Sequence, residues 1–144
     1  MTTPPSLPAI VVAAIITDGN GRILINQRPP DSRHAGKWEF PGGKVEPGED
    51  PRDALERECL EELGCTVRAG AIYETIFHAY PGHSVLLLFY LAEILEGRPR
   101  PLEQNRLAWT TAEEMAAYDL LEADRPLPAL FQQRYPHFQR EYLR

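Results

Sequence analysis

Three glutamates, Glu58, Glu61 and Glu62, lie within five residues of one another, beside Arg57 and downstream of a glycine pair, Gly42-Gly43, followed by Lys44. On a helix, positions i, i+3 and i+4 share a face, which would put these carboxylates in one arc of about 100°. Side by side they repel, each like-charged pair costing an isolated helix roughly 0.2–0.5 kcal/mol. Such a face is either a solvated charged surface or one balanced by a cation. A hard divalent ion such as Mg2+, for which Mn2+ can substitute, takes oxygen ligands and often combines a few carboxylates with water and substrate phosphates. The acid-rich stretch offers no obvious protein nucleophile, and a divalent cation is the natural partner for its carboxylates.

Two successive glycines before the helix allow the backbone to approach a ligand closely and to turn a carbonyl toward it, or they simply make a turn. Arg57 is placed to orient a neighbouring glutamate by a bidentate ion pair, not to touch substrate. The net charge of −6 would repel a phosphorylated ligand unless cations intervene. It also argues against polymeric nucleic acid and against an anionic membrane surface.

The elements that must position these residues follow from the pattern. At 144 residues and 43% apolar content, residues 1–144 are expected to form one domain. Ile10 to Thr17 is apolar and β-branched, DGNG supplies a turn, and RILINQR resumes alternation, which reads as a hairpin. The PPDSRHAGK segment is a loop, and WEFPGG is a short extended piece. Asp50-Pro51 is an N-cap and first-turn pair and Gly64 a helix-ending glycine, predicting a helix over Pro51 to Leu63. Its apolar arc would hold Leu55, Cys59, Leu60 and Leu63. Cys65 to Tyr80, with a break near Ala69-Gly70, and Ser84 to Ile94 flank a PGH turn and predict a second hairpin. LAWT is a last strand, TAEEMAAY a helix capped by Thr110 or Thr111, and Pro126 to Tyr135 a final helix. Strands mixed with helices favour a mixed sheet with helices on its faces. Cys59 and Cys65 match no zinc spacing and read as reduced core thiols. The N-terminus has no signal-like pattern and the longest oily run, Val85 to Ala92, is too short to span a bilayer, so a cytoplasmic protein without a membrane partner is expected.

Taken in order, Gly43, five residues, Glu49, seven residues, Arg57, Glu58, Cys59, Leu60, Glu61, Glu62, Leu63, Gly64, Cys65 resemble the Nudix hydrolase signature GX5EX7REUXEEXGU at every fixed position. The longer run INQRPPDSRHAGKWEFPGGKVEPGE is similar to the MutT-type branch and its cytidine-triphosphate relatives. The resemblance implies an α/β/α sandwich with a mixed β-sheet between helices. It implies Mg-dependent cleavage of a nucleoside triphosphate to monophosphate and pyrophosphate, serving to remove oxidised or noncanonical nucleotides such as 8-oxo-dGTP. It assigns metal binding to Glu58, Glu61, Glu62 and the Gly43 carbonyl, with Glu49 behind them or at an additional metal site, and Arg57 holding the carboxylates. Glu103, six residues before Trp109, matches a family glutamate near the metals, although the residues alone would make it an exposed loop acid.

Arg28 matches a family arginine that contacts nucleotide, and Lys44 could reach phosphate; the alternative for each is a surface ion pair with nearby acids. Phe40 and Asp124 fall where the family lines the base. The mutator-preventing enzymes carry asparagine at the second position. An ionised aspartate there accepts only, suiting a cytosine amine or the N–H groups of guanine, and donates only if burial protonates it. His34, His78 and His83 read as surface or edge residues. Among Phe77, Tyr80, Phe89 and Tyr90, a base-stacking partner and plain core both remain open. Alternatives are a CTP or dCTP pyrophosphohydrolase, a hydrolase of ADP-ribose or another diphosphate-linked group, an inactive nucleotide sensor, or an acidic metal-binding surface. The expected partner is a nucleotide, and the assembly a monomer or homodimer.

Overall fold

The structure, a computed structural model, describes residues 6–104 and 106–133. The apolar run near the N-terminus forms β1 (Ala9–Ile16), the central strand of a four-stranded mixed sheet. It pairs parallel with β6 (His83–Glu96) and antiparallel with β4 (Gly42–Lys44), and β5 (Thr66–Tyr80) closes the far edge, in the order β4-β1-β6-β5. A second antiparallel sheet sets β2 (Ile23–Gln27) between β3 (Trp38–Glu39) and β7 (Arg106–Thr110).

Why β1 is oily throughout is now clear: both of its faces are covered. Val12, Ala14 and Ile16 pack on α1 (Pro51–Leu63) through Ala54, Leu55, Cys59 and Leu63. Ala13 and Ile15 point the other way, into a core with Phe40, Phe89, Met115, Leu127 and Phe131. Met115 ends α2 (Ala112–Met115), and Leu127 and Phe131 belong to α3 (Leu127–Gln133). This is the helix, sheet, helix layering expected. Among the described residues no helix is long and apolar enough to cross a membrane.

The first expected hairpin is corrected. Asp18 does close a turn, its Oδ1 accepting from Asn20 and Arg22 backbone N–H, but β1 and β2 then part, sharing only the isolated bridge Thr17 to Ile23. Both hydrogen-bonding edges of β1 are already taken by β4 and β6, so β2 must pair elsewhere. The second hairpin is as expected. Tyr80 pairs with His83 across Pro81-Gly82, Gly82 takes φ +83°, and the register slips between Ala69 and Ile72.

Helix α1 begins and ends where the sequence places it. Asp50 accepts from Arg52 N–H at 2.8 Å, and Gly64, at φ +71°, donates to Leu60 O. Leu60, however, is exposed, because it stands about 60° past Leu63 around the helix, beyond the buried arc. Thr111, not Thr110, caps α2 through a capping box with Glu114, and that helix is shorter than TAEEMAAY. The expected extension of α3 to Tyr135 lies outside the described residues. Both cysteines are free and buried.

Gly42 carries the tightest steric demand. A Cβ there would lie 1.9 Å from Val12 O, inside the β1–β4 ladder, where the obstacle is backbone and cannot swing away. Gly42→Ala is therefore expected to destabilise the protein by roughly 3 kcal/mol, the upper end for overpacking, measured by urea unfolding.

Candidate active site

Helix α1 begins just after β4, and the junction collects the acids. Arg57 reaches back over the connecting loop and grips Glu49 with both prongs of its guanidinium, Nε to Oε2 at 2.8 Å and Nη2 to Oε1 at 3.0 Å. Its Nη1 donates to Glu58 Oε1 at 3.0 Å and to Glu61 Oε2 at 3.3 Å, and Nη2 also meets Lys44 O at 3.2 Å. The fork holds the Glu49 carboxyl below the ordinary carboxylate range, helped by the Glu46 N–H. Glu58 shifts the other way, because burial outweighs the pull of Arg57.

Glu62 is the buried member, with 6% of its surface exposed. Its Oε2 accepts from Gly42 N–H at 3.1 Å and its Oε1 from Gln104 Nε2 at 3.4 Å. Burial pushes its carboxyl up to about 9, and the charges of Glu39, Glu58 and Glu103 add to the rise while the Gly42 N–H opposes it. Glu103 is exposed, yet near enough for its charge to act on Glu58 and Glu62. Gly43 abuts the cluster: a Cβ on it would lie 2.4 Å from Glu58 Cδ.

Glu58, Glu62, Gly43 and Lys44 line one side of a cleft of about 620 Å3 that also takes in Arg28, Glu39, Phe40 and Asp124. That size is ordinary for a small-molecule site. Arg28 is tied down by Glu39 at 3.1 Å and by Arg33 O at 2.6 Å. Asp124, in a 3-10 turn (Glu122–Asp124), is 2% exposed. Its Oδ2 accepts from Phe40 N–H at 3.3 Å, and its Oδ1 is buried with no partner among the described residues. Burial, reinforced by the charge of Glu39, raises its carboxyl well above the aspartate range.

The cleft therefore gathers Glu58, Glu62, Gly43, Lys44, Arg28, Phe40 and Asp124. Glu49 and Arg57 stand behind Glu58, and Glu61 and Glu103 are more open to solvent. All the donors on the acidic side are oxygens, which suits a hard cation. Among the described residues no three acidic, His or Cys side chains converge on one point; Arg57 Nη1 instead spans Glu58 and Glu61.

Two histidines read as surface residues belong to the cleft. His83 stacks on Tyr80 with ring centroids 5.1 Å apart, and His34, at φ +57°, lies 5.3 Å from the same ring. His78 meets Glu122 at 3.3 Å. Of the candidate stacking aromatics, Tyr80 lines the cleft, Phe89 and Tyr90 are core, and Phe77 is exposed. Glu39 and Gln104 escaped the sequence reading. An acid between Trp38 and Phe40 was a usable signal for a half-buried ion pair, whereas Gln104 sits in a loop without periodicity.

The chain is similar to known proteins over most of its length. Residues 7–131 match the family model described as the NUDIX domain. The CTP pyrophosphohydrolase of Escherichia coli strain K12 is 41% identical over 121 residues, covering 84% of this chain and 89% of the relative. The 8-oxo-dGTP diphosphatase of the same organism is 35% identical over 119 residues, covering 83% and 92%. The crystal structure of the MutT protein from Methanosarcina mazei Go1 superposes with a TM-score of 0.80 at 28% identity, covering 91% and 99%.

Asp124 has a consequence for stability. With its carboxyl raised in the folded state, the folded protein binds the extra proton above pH 4, so this contribution is fully present below the ordinary aspartate range and is lost as pH rises through the folded value. Asp124→Asn is expected to raise Tm at pH 8 by roughly 3 °C, about 1 kcal/mol at this size, and to narrow the gap between pH 5 and pH 8, as read by thermal melts.

Proposed function

The chain belongs to the NUDIX family, hydrolases of pyrophosphate bonds, and from that premise we propose that its cleft takes a (deoxy)nucleoside triphosphate and yields the monophosphate and pyrophosphate. The observation that carries the reading is the pairing, in one cleft, of the carboxylates Glu58 and Glu62 with the buried Asp124. The first suits a triphosphate accompanied by cations, the second the edge of a base.

In this reading Glu58, Glu61, Glu62 and the Gly43 carbonyl hold Mg2+, or Mn2+ in its place, with Glu49 and Glu103 as further carboxylates beside them. When bound, such ions would supply charge neutralisation for the phosphates and activation of water as the nucleophile. Arg57 keeps Glu58 and Glu61 from swinging apart, and its grip on Glu49 fixes the guanidinium itself. A carboxylate of this set accepts the proton of the attacking water. Arg28 and Lys44 contact the nucleotide, Phe40 lines the base, and Asp124 reads its polar edge.

The leading substrates are oxidised or noncanonical purine nucleotides such as 8-oxo-dGTP. Burial of Asp124 supports this, because a protonated carboxyl both donates and accepts and so can serve a purine carbonyl as well as an N–H. The second reading, CTP or dCTP, draws on the relative named CTP pyrophosphohydrolase and on an aspartate accepting from a cytosine amine. Nothing in the reading calls for a membrane or a polymeric nucleic acid as partner.

The test is turnover of 8-oxo-dGTP, dGTP, CTP and dCTP with Mg2+, with products separated by ion exchange. Monophosphate and pyrophosphate are expected. Glu62→Gln is expected to keep the fold and lose at least about 100-fold in kcat, the scale of several kcal/mol of electrostatic stabilisation. Diphosphate and inorganic phosphate as products, or near-normal turnover by Glu62→Gln, would refute the reading.

A further inference from the structure

Gln104 lines the cleft but has no part in the reading above. The segment that carries it is fastened to the last turn of α1 by backbone hydrogen bonds, Arg100 N–H to Leu63 O and Leu102 N–H to Glu62 O, each 3.0 Å. Leu102 and Arg100 also crowd the space beside Gly64, at 3.2 and 3.0 Å from where a Cβ would stand. So anchored, Gln104 places its Nε2 3.4 Å from Glu62 Oε1, opposite the Gly42 N–H that holds the other oxygen. The Gln104 Oε1 is buried and has no partner among the described residues.

A buried amide oxygen without a partner costs about 1–3 kcal/mol, so its persistence beside a carboxylate calls for a donor from outside the protein. The neighbouring cleft admits water, and a water there would lie beside Glu62. Among the described residues Arg57 pairs with Glu58 and Glu61 and forms no hydrogen bond or ion pair with Glu62. Among the described residues Glu62 is held instead by one backbone N–H and one amide.

We propose that Gln104 is a positioning residue, its Nε2 fixing the direction of the Glu62 carboxylate and its Oε1 accepting a hydrogen bond from water held beside that carboxylate. The proposal rests on the reading of Glu62 as a cation ligand. The same anchored segment carries Glu103, whose charge acts on Glu58 and Glu62.

The test is Mn2+ titration of the nucleotide-free protein, followed by electron paramagnetic resonance, for wild type, Gln104→Ala and the near-isosteric Gln104→Met. Both variants should bind Mn2+ about tenfold more weakly, the usual effect of removing a group that orients a metal ligand. Their Tm should stay within about 2 °C of wild type, as for a substitution outside the core. With CTP and 8-oxo-dGTP, kcat should fall by about tenfold while KM changes less than about twofold, because substrate contacts are untouched. Wild-type Mn2+ affinity in Gln104→Met, or a loss that follows a drop in Tm, would overturn the proposal and leave the metal reading intact. Failure of the wild type itself to bind Mn2+ would overturn both.

Discussion

One guanidinium keeps the acidic wall of this cleft in order. Glu49, Glu58 and Glu61 all lie within ion-pair distance of Arg57, in a region where burial already raises the Glu58 carboxyl. Without a shared cation, three carboxylates at this spacing would turn away from one another into solvent. A planar fork with five donors can serve them together, gripping Glu49 with two of them while Glu58 faces the cleft, which a point-charge ammonium cannot do. Half-exposed ion pairs add little stability. The value of this network is geometric: it fixes the directions of three carboxyl groups relative to one another.

The fold supplies what the fork cannot. Because β4 pairs directly with β1, Gly42 and Gly43 are held in the edge strand beside β1, and α1 returns over them with Glu58 and Glu62 facing inward. The glycines are required by space: backbone crowds Gly42, and the Glu58 carboxyl crowds Gly43. At the other end of the cleft, Asp124 is delivered by a turn that precedes α3, and the Phe40 N–H fixes its orientation. The mixed sheet thus brings Gly43, Glu58, Glu62 and Asp124 to the lining of one cleft.

Much of this was legible in the sequence because it is local. Asp50-Pro51 and Gly64 bound α1 by capping chemistry, and the helical period put Glu58, Glu61 and Glu62 on neighbouring turns. The Pro81-Gly82 turn set the β5–β6 hairpin in the same way. What escaped depends on distant pairing. Nothing near DGNG shows that β4 and β6 occupy both edges of β1, so the turn alone suggested a hairpin that does not form. The arc of α1 was read with Leu60 inside it, whereas Glu62 is the residue turned inward. His83 and His34 join the cleft only because the β5–β6 turn folds over the loop following β2, and Gln104 only because its segment is fastened to α1.

The most direct measurement is the turnover of Arg57→Lys, which keeps the positive charge and removes the fork. If the fork's geometry orders the acidic wall, triphosphate hydrolysis with Mg2+ should fall by at least about 100-fold while the thermal unfolding profile stays close to wild type. Turnover within about threefold of wild type would show that charge alone suffices and would contradict the account.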